Sequence, residues 1–268
     1  MGIPMKLSPT ECGILNAGAG SWAFEPLAKQ LSAALGVEIL NQPRRFNYVL
    51  HVDDPSSLAG INSFIPLKSL QLAADKRLLA RVFNEQHVPA PETVLLNTFQ
   101  ETGQFAESNR SKKWCLKYPT SCGANGHRML AETGTEPANW PKPFVVQEFI
   151  ELTDPEVYRT YCAGGEIFGW VVRRFPSGAK PSPWIAHARG ARYVILDVPP
   201  AEAIEVAERA FTATGLWSSF GCVDLLRTPN GQWIALEVGT DGLFNHVDRD
   251  LGEPDFERQL LRRVVDAF

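Results

Sequence analysis

The last third of the chain contains two strand-like segments that each carry one carboxylate in an apolar sequence. They run from Phe220 to Arg227 and from Gln232 to Val238, and the turn sequence Thr228-Pro229-Asn230-Gly231 joins them. A turn between two such segments predicts an antiparallel hairpin. Because alternate side chains of a strand share a face, Asp224 and Glu237 can project from the same side of this hairpin. Paired carboxylates of this kind indicate a site for a divalent cation.

Composition and charge restrict the classes of function. The 268 residues are 44% hydrophobic and 21% charged, which is enough to form one large domain or two to three small lobes. The formal net charge is −4 and the pI is about 5.8, so the chain lacks the basic field that is typical of nucleic-acid-binding proteins. We therefore expect no nucleic-acid partner.

The sequence also favours a soluble, cytoplasmic protein without a membrane partner. Residues 1–8 contain no apolar core of signal-peptide length, and no apolar stretch is long enough to span a bilayer. Five cysteines, widely spaced and never in a Cys-x-x-Cys arrangement, argue against a disulfide framework or a zinc site. We expect most of them to be buried thiols.

The first 74 residues predict a small open α/β lobe. A short apolar strand from Cys12 to Ala17 leads into a helical pattern from Trp22 to Leu35. Further strands are predicted from Val37 to Leu40 and from Tyr48 to Val52. Ligands of such lobes bind at the carboxyl ends of the strands. The residues that we expect to shape a substrate pocket there are Trp22, Phe24 and Asn47.

The turn that follows the first strand contains Gly18 and Gly20, which leaves a dinucleotide site open as an alternative. The third glycine of that fingerprint is absent, which disfavours this interpretation. A tight turn with Ser21 as the helix cap explains the same residues.

The segment from Leu67 to Gln86 has the apolar spacing of a helix, with an interruption near Asp75 and Lys76. A helix that begins at Asp75 would use this carboxylate as its N-cap. Lys76 would then lie in the first turn, where backbone N–H groups also attract anions. A solvated surface lysine is the alternative.

A second lysine, Lys117, lies in the predicted strand from Trp114 to Tyr118, after a polar stretch from Asn97 to Lys113. A glycine-containing loop from Ser121 to Gly126 follows. Small residues allow a backbone to close over phosphate groups, and a lysine supplies a compact positive charge. A plain hairpin turn explains the loop equally well when the loop is considered alone.

The apolar segment from Phe144 to Glu151 predicts a buried strand, and its backbone carbonyl and N–H groups match the edge of an adenine base. Two further segments, from Glu156 to Tyr161 and from Ile167 to Arg173, predict a hairpin. Because adjacent strand residues face opposite sides, Arg173 and Arg174 cannot both face one site.

An arginine-containing loop precedes the helix that is predicted from Ala201 to Ala213. It carries Arg189 and Arg192, whose guanidinium groups suit a phosphate or a carboxylate. A solvated loop is the alternative.

Taken in order, these elements resemble the ATP-grasp superfamily, nearest to its ribosomal-protein-glutamate-ligase-like and peptide-ligase-like members. The resemblance covers residues 65–245. It implies an α/β (α+β) fold with a small N-terminal open α/β pre-ATP-grasp lobe (1–74), a central and lid subdomain (75–147) and a C-terminal antiparallel-sheet subdomain with the metal site (148–268). The matching positions are Asp75, Lys76, Lys117, Gly123, Gly126, Gln147, Glu148, Phe149, Ile150, Arg159, Gly164, Gly165, Arg173, Asp224 and Glu237.

The same resemblance implies the cofactors, ATP and Mg²⁺, and the residues that hold them. The implied nucleotide-binding residues are Lys76, Lys117, Ser121, Gly123, Gly126, Gln147, Glu148, Phe149, Ile150 and Glu151, with Glu156 for the ribose. The implied metal-binding residues are Asp224, Glu237 and Asp241. The implied catalytic residues are Arg173 and Arg189, and the implied substrate-binding residues are Arg159, Arg192 and Trp22.

The reaction that the resemblance implies joins a carboxylate to an amine or thiol through an acyl phosphate, with release of ADP and phosphate. The substrates would be small molecules or peptides, and the chain is compatible with a homodimer. One departure from the family pattern concerns Gly239, where the family commonly has an asparagine that binds metal. A nucleotide-binding regulatory or degenerate module without ligase turnover therefore stays open.

Overall fold

The computed structural model describes residues 7–180, 182–240, 242, 244–252 and 255–268, with the backbone alone at residues 55, 56, 244–246 and 248. In these ranges the chain forms one parallel and two antiparallel sheets together with helices. This arrangement confirms the predicted α/β (α+β) class. No helix in the described ranges has the length and apolar character needed to cross a membrane.

The first lobe contains a three-stranded parallel sheet in the order β2-β1-β3. Its elements are β1 (Cys12–Asn16), α1 (Glu25–Leu35), β2 (Glu38–Leu40) and β3 (Phe46–His51). The α-helix begins later than the pattern predicted, because residues Ser21–Phe24 form a tighter 3₁₀ turn and Pro26 favours the first turn of the α-helix. The lobe otherwise agrees with the prediction.

Two helices follow, α2 (Leu67–Ala74) and α3 (Lys76–Glu85), and they are separated at Asp75 as the sequence predicted. The Asp75 carboxylate accepts a hydrogen bond from the Arg77 N–H at 2.8 Å and so caps α3. Lys76 is consequently the first residue of α3. This position fixes its backbone at the edge of the second sheet, where the Lys76 N–H donates to the Pro119 carbonyl.

The second sheet is antiparallel, with the order β4-β7-β5-β6. Its strands are β4 (Thr93–Leu96), β5 (Trp114–Lys117), β6 (His127–Met129) and β7 (Phe144–Glu148). One face packs against α4 (Phe99–Ser108) through a core that includes Trp114, Leu116 and Phe144. The prediction for residues 97–113 was wrong, because it assigned a polar stretch there and no helix. A capping box between Thr98 and Glu101 was the signal that could have found it.

The third sheet is a five-stranded antiparallel sheet in the order β10-β9-β8-β11-β12. Its strands are β8 (Glu156–Ala163), β9 (Glu166–Arg174), β10 (Arg192–Ile195), β11 (Phe220–Arg227) and β12 (Trp233–Gly239), and its helices are α5 (Ala201–Thr214), α6 (Phe244–Leu251) and α7 (Asp255–Ala267). Its core is continuous with that of the first lobe, since Ile14 and Tyr48 belong to the same buried cluster as Phe211 and Phe220. The three domain boundaries stay a prediction.

The β8-β9 hairpin contains a shift in strand register, and Gly169 lies beside it. The register shifts between Thr160 and Tyr161, and the Thr160 hydroxyl donates to the carbonyls of Phe168 and Gly169. Gly169 has a φ of +67°, and a Cβ there would lie 3.0 Å from the ring of Phe256. Only glycine fits both the backbone conformation and the space.

We predict that Gly169→Ala destabilises the protein more than Gly36→Ala does. Both glycines have a φ of +67°, but a Cβ at Gly36 meets no atom within 4 Å. The left-handed backbone costs about 1–2 kcal/mol in either variant, and overpacking against Phe256 adds about 1–3 kcal/mol at Gly169 alone. Urea denaturation measures the two free energies of unfolding, and equal values would contradict the packing role of Gly169.

Candidate active site

The three sheets enclose a cavity of about 1220 Å³. This volume exceeds the roughly 300–1,000 Å³ of common small-molecule pockets, so it has room for two ligands. The carboxyl end of β3 forms one wall through Leu50, His51 and Val52. The face of the second sheet that points away from α4 forms another wall, and the third sheet forms the floor.

The two predicted lysines lie together on this wall. Lys76 Nζ lies 3.1 Å from Glu237 Oε1 and donates to the Ser121 carbonyl at 2.6 Å. Lys117 is only 7% exposed, and among the described residues its ammonium group forms no hydrogen bond or salt bridge. Burial lowers the pKa of the Lys117 ammonium, and the nearby charge of Lys76 acts in the same direction. An anionic ligand beside Lys117 would offset both the cost of burying its charge and the repulsion from Lys76.

The glycine-containing loop folds over the same region. The Ser121 hydroxyl donates to the carbonyls of Tyr118 (3.3 Å) and Asn125. Gly123 and Gly126 have φ values of +63° and +71°, and a Cβ at Gly126 would come within 2.6 Å of the Tyr118 Cβ. Ser121 and Gly123 line the cavity, whereas Gly126 lies behind the loop and shapes its turn.

Four residues at the end of β7 line the cavity, and they are among those predicted to bind the adenine base: Gln147, Glu148, Phe149 and Ile150. The N–H groups of Glu148 and Phe149 already donate to the carbonyls of Glu92 and Lys113, both at 2.8 Å. The Glu148 carboxylate pairs with Lys112 at 3.0 Å. Neither of these two N–H groups is therefore available to a ligand.

The predicted acidic hairpin forms, and Asp224 lies directly opposite Glu237 in the β11-β12 register. Their environments differ. Asp224 is 4% exposed, and it accepts hydrogen bonds from Arg159 Nε (2.6 Å), Arg159 Nη2 (3.1 Å) and Arg173 Nη2. Burial alone would raise the pKa of Asp224, but the two arginines hold it below its ordinary value. Glu237 is more accessible and faces Lys76.

These contacts decide how well the hairpin fits a magnesium ion. A carboxylate offers about four acceptor positions, and three of those on Asp224 are occupied. No group of three potential metal-binding His, Cys, Asp or Glu side chains occurs in the described part of the chain. Asp241, the third predicted ligand, lies outside the described residues. The hairpin thus fits one ion that phosphate oxygens also bind, with Glu237 as the open carboxylate.

An aromatic ring orders the two arginines on the cavity floor. The guanidinium groups of Arg159 and Arg173 lie 5.7 and 5.6 Å from the ring centroid of Tyr193, and Arg173 Nη1 also donates to the Tyr193 hydroxyl at 3.3 Å. Arg174 faces the other side of β9 and pairs with Glu156. Of the two adjacent arginines, Arg173 is the one that lines the cavity.

Several predicted site residues lie away from the cavity wall. Trp22 is 75% exposed on the surface. Glu151 pairs with Lys113 at 2.5 Å, and Glu156 accepts from Arg174 and the Tyr158 hydroxyl. Arg189 reaches the Ala124 carbonyl on the rim at 3.5 Å, and Arg192 lies 3.8 Å from Asp250.

Of the other residues predicted for a pocket in the first lobe, Asn47 is fully buried and donates hydrogen bonds to the carbonyls of Arg44 and Asn62. Phe24 does line the cavity.

The first-lobe glycine turn offers little to a dinucleotide. The Ala19 N–H donates to the Asp53 carboxylate at 2.8 Å. A Cβ at Gly18 would lie 2.4 Å from the same carboxylate, so the turn is closed by the protein's own acid. This geometry disfavours the dinucleotide alternative.

The sequence did not indicate Trp184, an aromatic residue that completes the wall. Trp184 packs edge-on against Phe149 (5.4 Å between centroids) and His127 (5.2 Å). Phe24 stacks on His51 at 5.3 Å. Trp184 directly follows Pro181-Ser182-Pro183, where no periodicity marks a buried face. Of the five cysteines, four are buried as predicted and Cys122 is exposed.

No protein-family model matches the chain. No curated protein sequence matches it either.

Solved structures, in contrast, match nearly the whole chain. The ATP-grasp ligase PsnB in complex with a minimal precursor has a TM-score of 0.64 at 12% identity, over 95% of this chain and 99% of that one. D-alanine–D-alanine ligase from Bacillus anthracis in complex with ATP has a TM-score of 0.64 at 14% identity, over 96% and 98%. D-cycloserine synthetase DcsG has a TM-score of 0.63 at 16% identity, over 94% and 99%. The chain therefore has the ATP-grasp fold, as the order of its sequence elements predicted.

Proposed function

We propose that this protein is an ATP-dependent ligase that activates a carboxylate as an acyl phosphate and joins it to an amine or thiol. The observation that carries the proposal is the convergence of Lys76, Lys117, the glycine loop and Glu237 on one cavity. The similar ATP-grasp ligases support the same class of activity. ATP is the proposed cosubstrate.

In this proposal the triphosphate lies along the lysines and under the glycine loop. Lys76 and Lys117 neutralise phosphate oxygens, and Ser121 and Gly123 present loop backbone to them. The base enters between the hinge at Gln147 to Ile150 and Trp184. Gly126 shapes the turn of the loop. Glu151 and Glu156 lie outside the cavity wall and would contact the nucleotide from its outer end. The remaining members of the proposed site are Arg189, Arg192 and Trp22 at the rim.

Magnesium is the proposed metal, with Glu237 as its principal protein ligand and one oxygen of Asp224 as the second. When it is bound, the ion supplies charge neutralisation for the phosphate oxygens. The protein's own contribution is positional, because phosphoryl transfer needs little covalent help from side chains. Arg173 is held by Asp224 and Tyr193 with its guanidinium on the cavity floor, where charge develops during transfer.

The proposed reaction has two steps. An oxygen of the acid attacks the γ-phosphorus of ATP, the bond from that phosphorus to the bridging oxygen breaks, and ADP leaves with the electron pair. The nucleophile then attacks the acyl carbon, the bond from this carbon to the phosphate oxygen breaks, and inorganic phosphate leaves while the nucleophile loses a proton. Arg159 and Arg173 form the proposed binding surface for the acid.

The cavity beyond the phosphate region is proposed to hold a small-molecule or peptide acid together with its acceptor. Phe24 and His51 line this part of the wall. One similar structure, PsnB, is described in complex with a precursor peptide. This likeness makes a peptide one of the two substrate classes to test.

A second candidate is a nucleotide-binding module without turnover. The observation in its favour is the metal donor set, because Asp224 is largely occupied by arginines and Gly239 offers no side-chain oxygen. The two candidates differ in one assay. A ligase releases ADP and phosphate only when an acid and a nucleophile are both present, whereas the module binds ATP and releases no ADP across a broad screen of acids and amines.

We predict that Lys117→Met stabilises the free protein and abolishes nucleotide binding. The substitution removes a buried ammonium without a partner, so the free energy of unfolding should rise by about 1–3 kcal/mol. Lys29→Met is the matched control, since Lys29 is exposed, pairs with Glu25 and does not line the cavity. Thermal unfolding and calorimetric titration with ATP measure both quantities. A less stable Lys117→Met protein that still binds ATP would contradict the proposal.

We predict that Glu237→Gln and Asp224→Asn fail in different ways. Glu237→Gln keeps the fold but lowers ADP release at least about 100-fold, as expected when a phosphate-site charge is lost. Asp224→Asn leaves Arg159 and Arg173 buried with a neutral partner, which costs about 3–5 kcal/mol of stability. ADP release and urea denaturation measure the two effects. An Asp224→Asn protein of unchanged stability would exclude the structural role of Asp224.

The contribution of Asp224 to stability should depend on pH. Its pKa in the folded protein lies below the ordinary value of 3.8, so the stabilisation is complete above that pH and is lost as pH falls through the folded pKa. We therefore expect the stability difference between the wild type and Asp224→Asn to be constant from pH 5 to 7 and to shrink below about pH 4. Denaturation curves at several pH values measure it, and a difference that grows on acidification would contradict the pairing.

A further inference from the structure

The cavity wall carries a histidine that none of the roles above uses. His127 on β6 lies directly opposite Lys117 on β5 in the antiparallel register. Directly opposed residues project to the same face of a sheet. The cavity-lining positions Cys115 and Gln147 are paired in the same way on β5 and β7. His127 therefore faces the region that holds the lysines.

The side chain of His127 is half-buried and has an unused hydrogen-bonding atom. Its Nε2 atom is inaccessible and has no hydrogen-bond partner among the described residues. Its ring packs edge-on against Trp184, which holds the imidazole plane in place. An unpaired buried polar atom is unfavourable for folding and calls for a functional reason. A ligand that enters the cavity can supply the missing partner.

The surroundings of His127 indicate the chemistry of that ligand. Burial lowers the pKa of His127 to about 2, and the charges of Lys117, Lys76 and Arg189 contribute. The imidazole is therefore neutral at physiological pH, and one of its ring nitrogens carries a proton that it can donate. A neutral donor among three cations suits an anion, because it adds a hydrogen bond without adding repulsion.

We propose that His127 is a nucleotide-binding residue that donates a hydrogen bond from Nε2 to a phosphate oxygen of the bound nucleoside di- or triphosphate. This inference rests on the proposed function. It adds a third phosphate-binding side chain to Lys76 and Lys117, from a strand outside the loop. The adenosine part of the nucleotide makes no contact with Nε2.

The test compares three ligands on the full-length protein and two variants by calorimetric titration. The ligands are adenosine, ADP and a non-hydrolysable ATP analogue. His127→Phe keeps the ring against Trp184 and removes the nitrogens, while His127→Gln keeps an N–H donor. We expect His127→Phe to weaken ADP and the ATP analogue by about 10-fold, to leave adenosine affinity unchanged and to keep the unfolding temperature. We expect His127→Gln to retain most of the affinity.

Two results would overturn the inference, and a third would overturn the function on which it rests. Unchanged ADP affinity in His127→Phe would exclude the contact, and an equal loss for adenosine would assign the ring to packing around the base. If the wild type bound none of the three ligands, the proposed function itself would fail. His127→Leu, which also lacks the nitrogens, provides the same comparison should the phenylalanine variant not fold.

Discussion

The site depends on an excess of positive charge on the wall of a partly closed cavity. Lys76, Lys117, Arg159 and Arg173 all line it. The wall carboxylates Asp75 and Glu148 are paired with Arg77 and Lys112, so that within the described part of the chain Asp224 and Glu237 are the carboxylates that face the four cations. Because these cations are poorly solvated, their mutual repulsion is weakly screened. A polyanion such as a triphosphate would neutralise the positive charge that the two carboxylates leave uncompensated.

The fold brings these charges together from distant parts of the chain. Lys76 is fixed as the first residue of a capped helix, Lys117 by the ladder of the second sheet, and both arginines by the β8-β9 hairpin. Strand alternation gives the second and third sheets one apolar face for their helices and one face for the cavity. The unpaired Lys117 ammonium and the unpaired His127 nitrogen lie on this second face. Such locally unfavourable groups are expected where a structure serves a ligand rather than its own stability.

The sequence predicted those parts of the fold whose signals are local. Asp75 marked the break between two helices, and the Pro-Asn-Gly turn marked the acidic hairpin. Helix α4 was missed because its apolar residues are few and its capping box lay within a polar stretch. The partners of Asp224 could not be predicted, since they are set by the packing of three strands. The role of Trp22 was placed by family geometry alone, and its side chain lies on the surface.

The most direct test of this account is a crystal structure of the protein with a non-hydrolysable ATP analogue and Mg²⁺. The account predicts the triphosphate in the central cavity, with Lys76 and Lys117 within hydrogen-bonding distance of its oxygens, about 2.7–3.2 Å, and the base against the end of β7. A triphosphate bound elsewhere, with the Lys117 ammonium still unpaired, would contradict it.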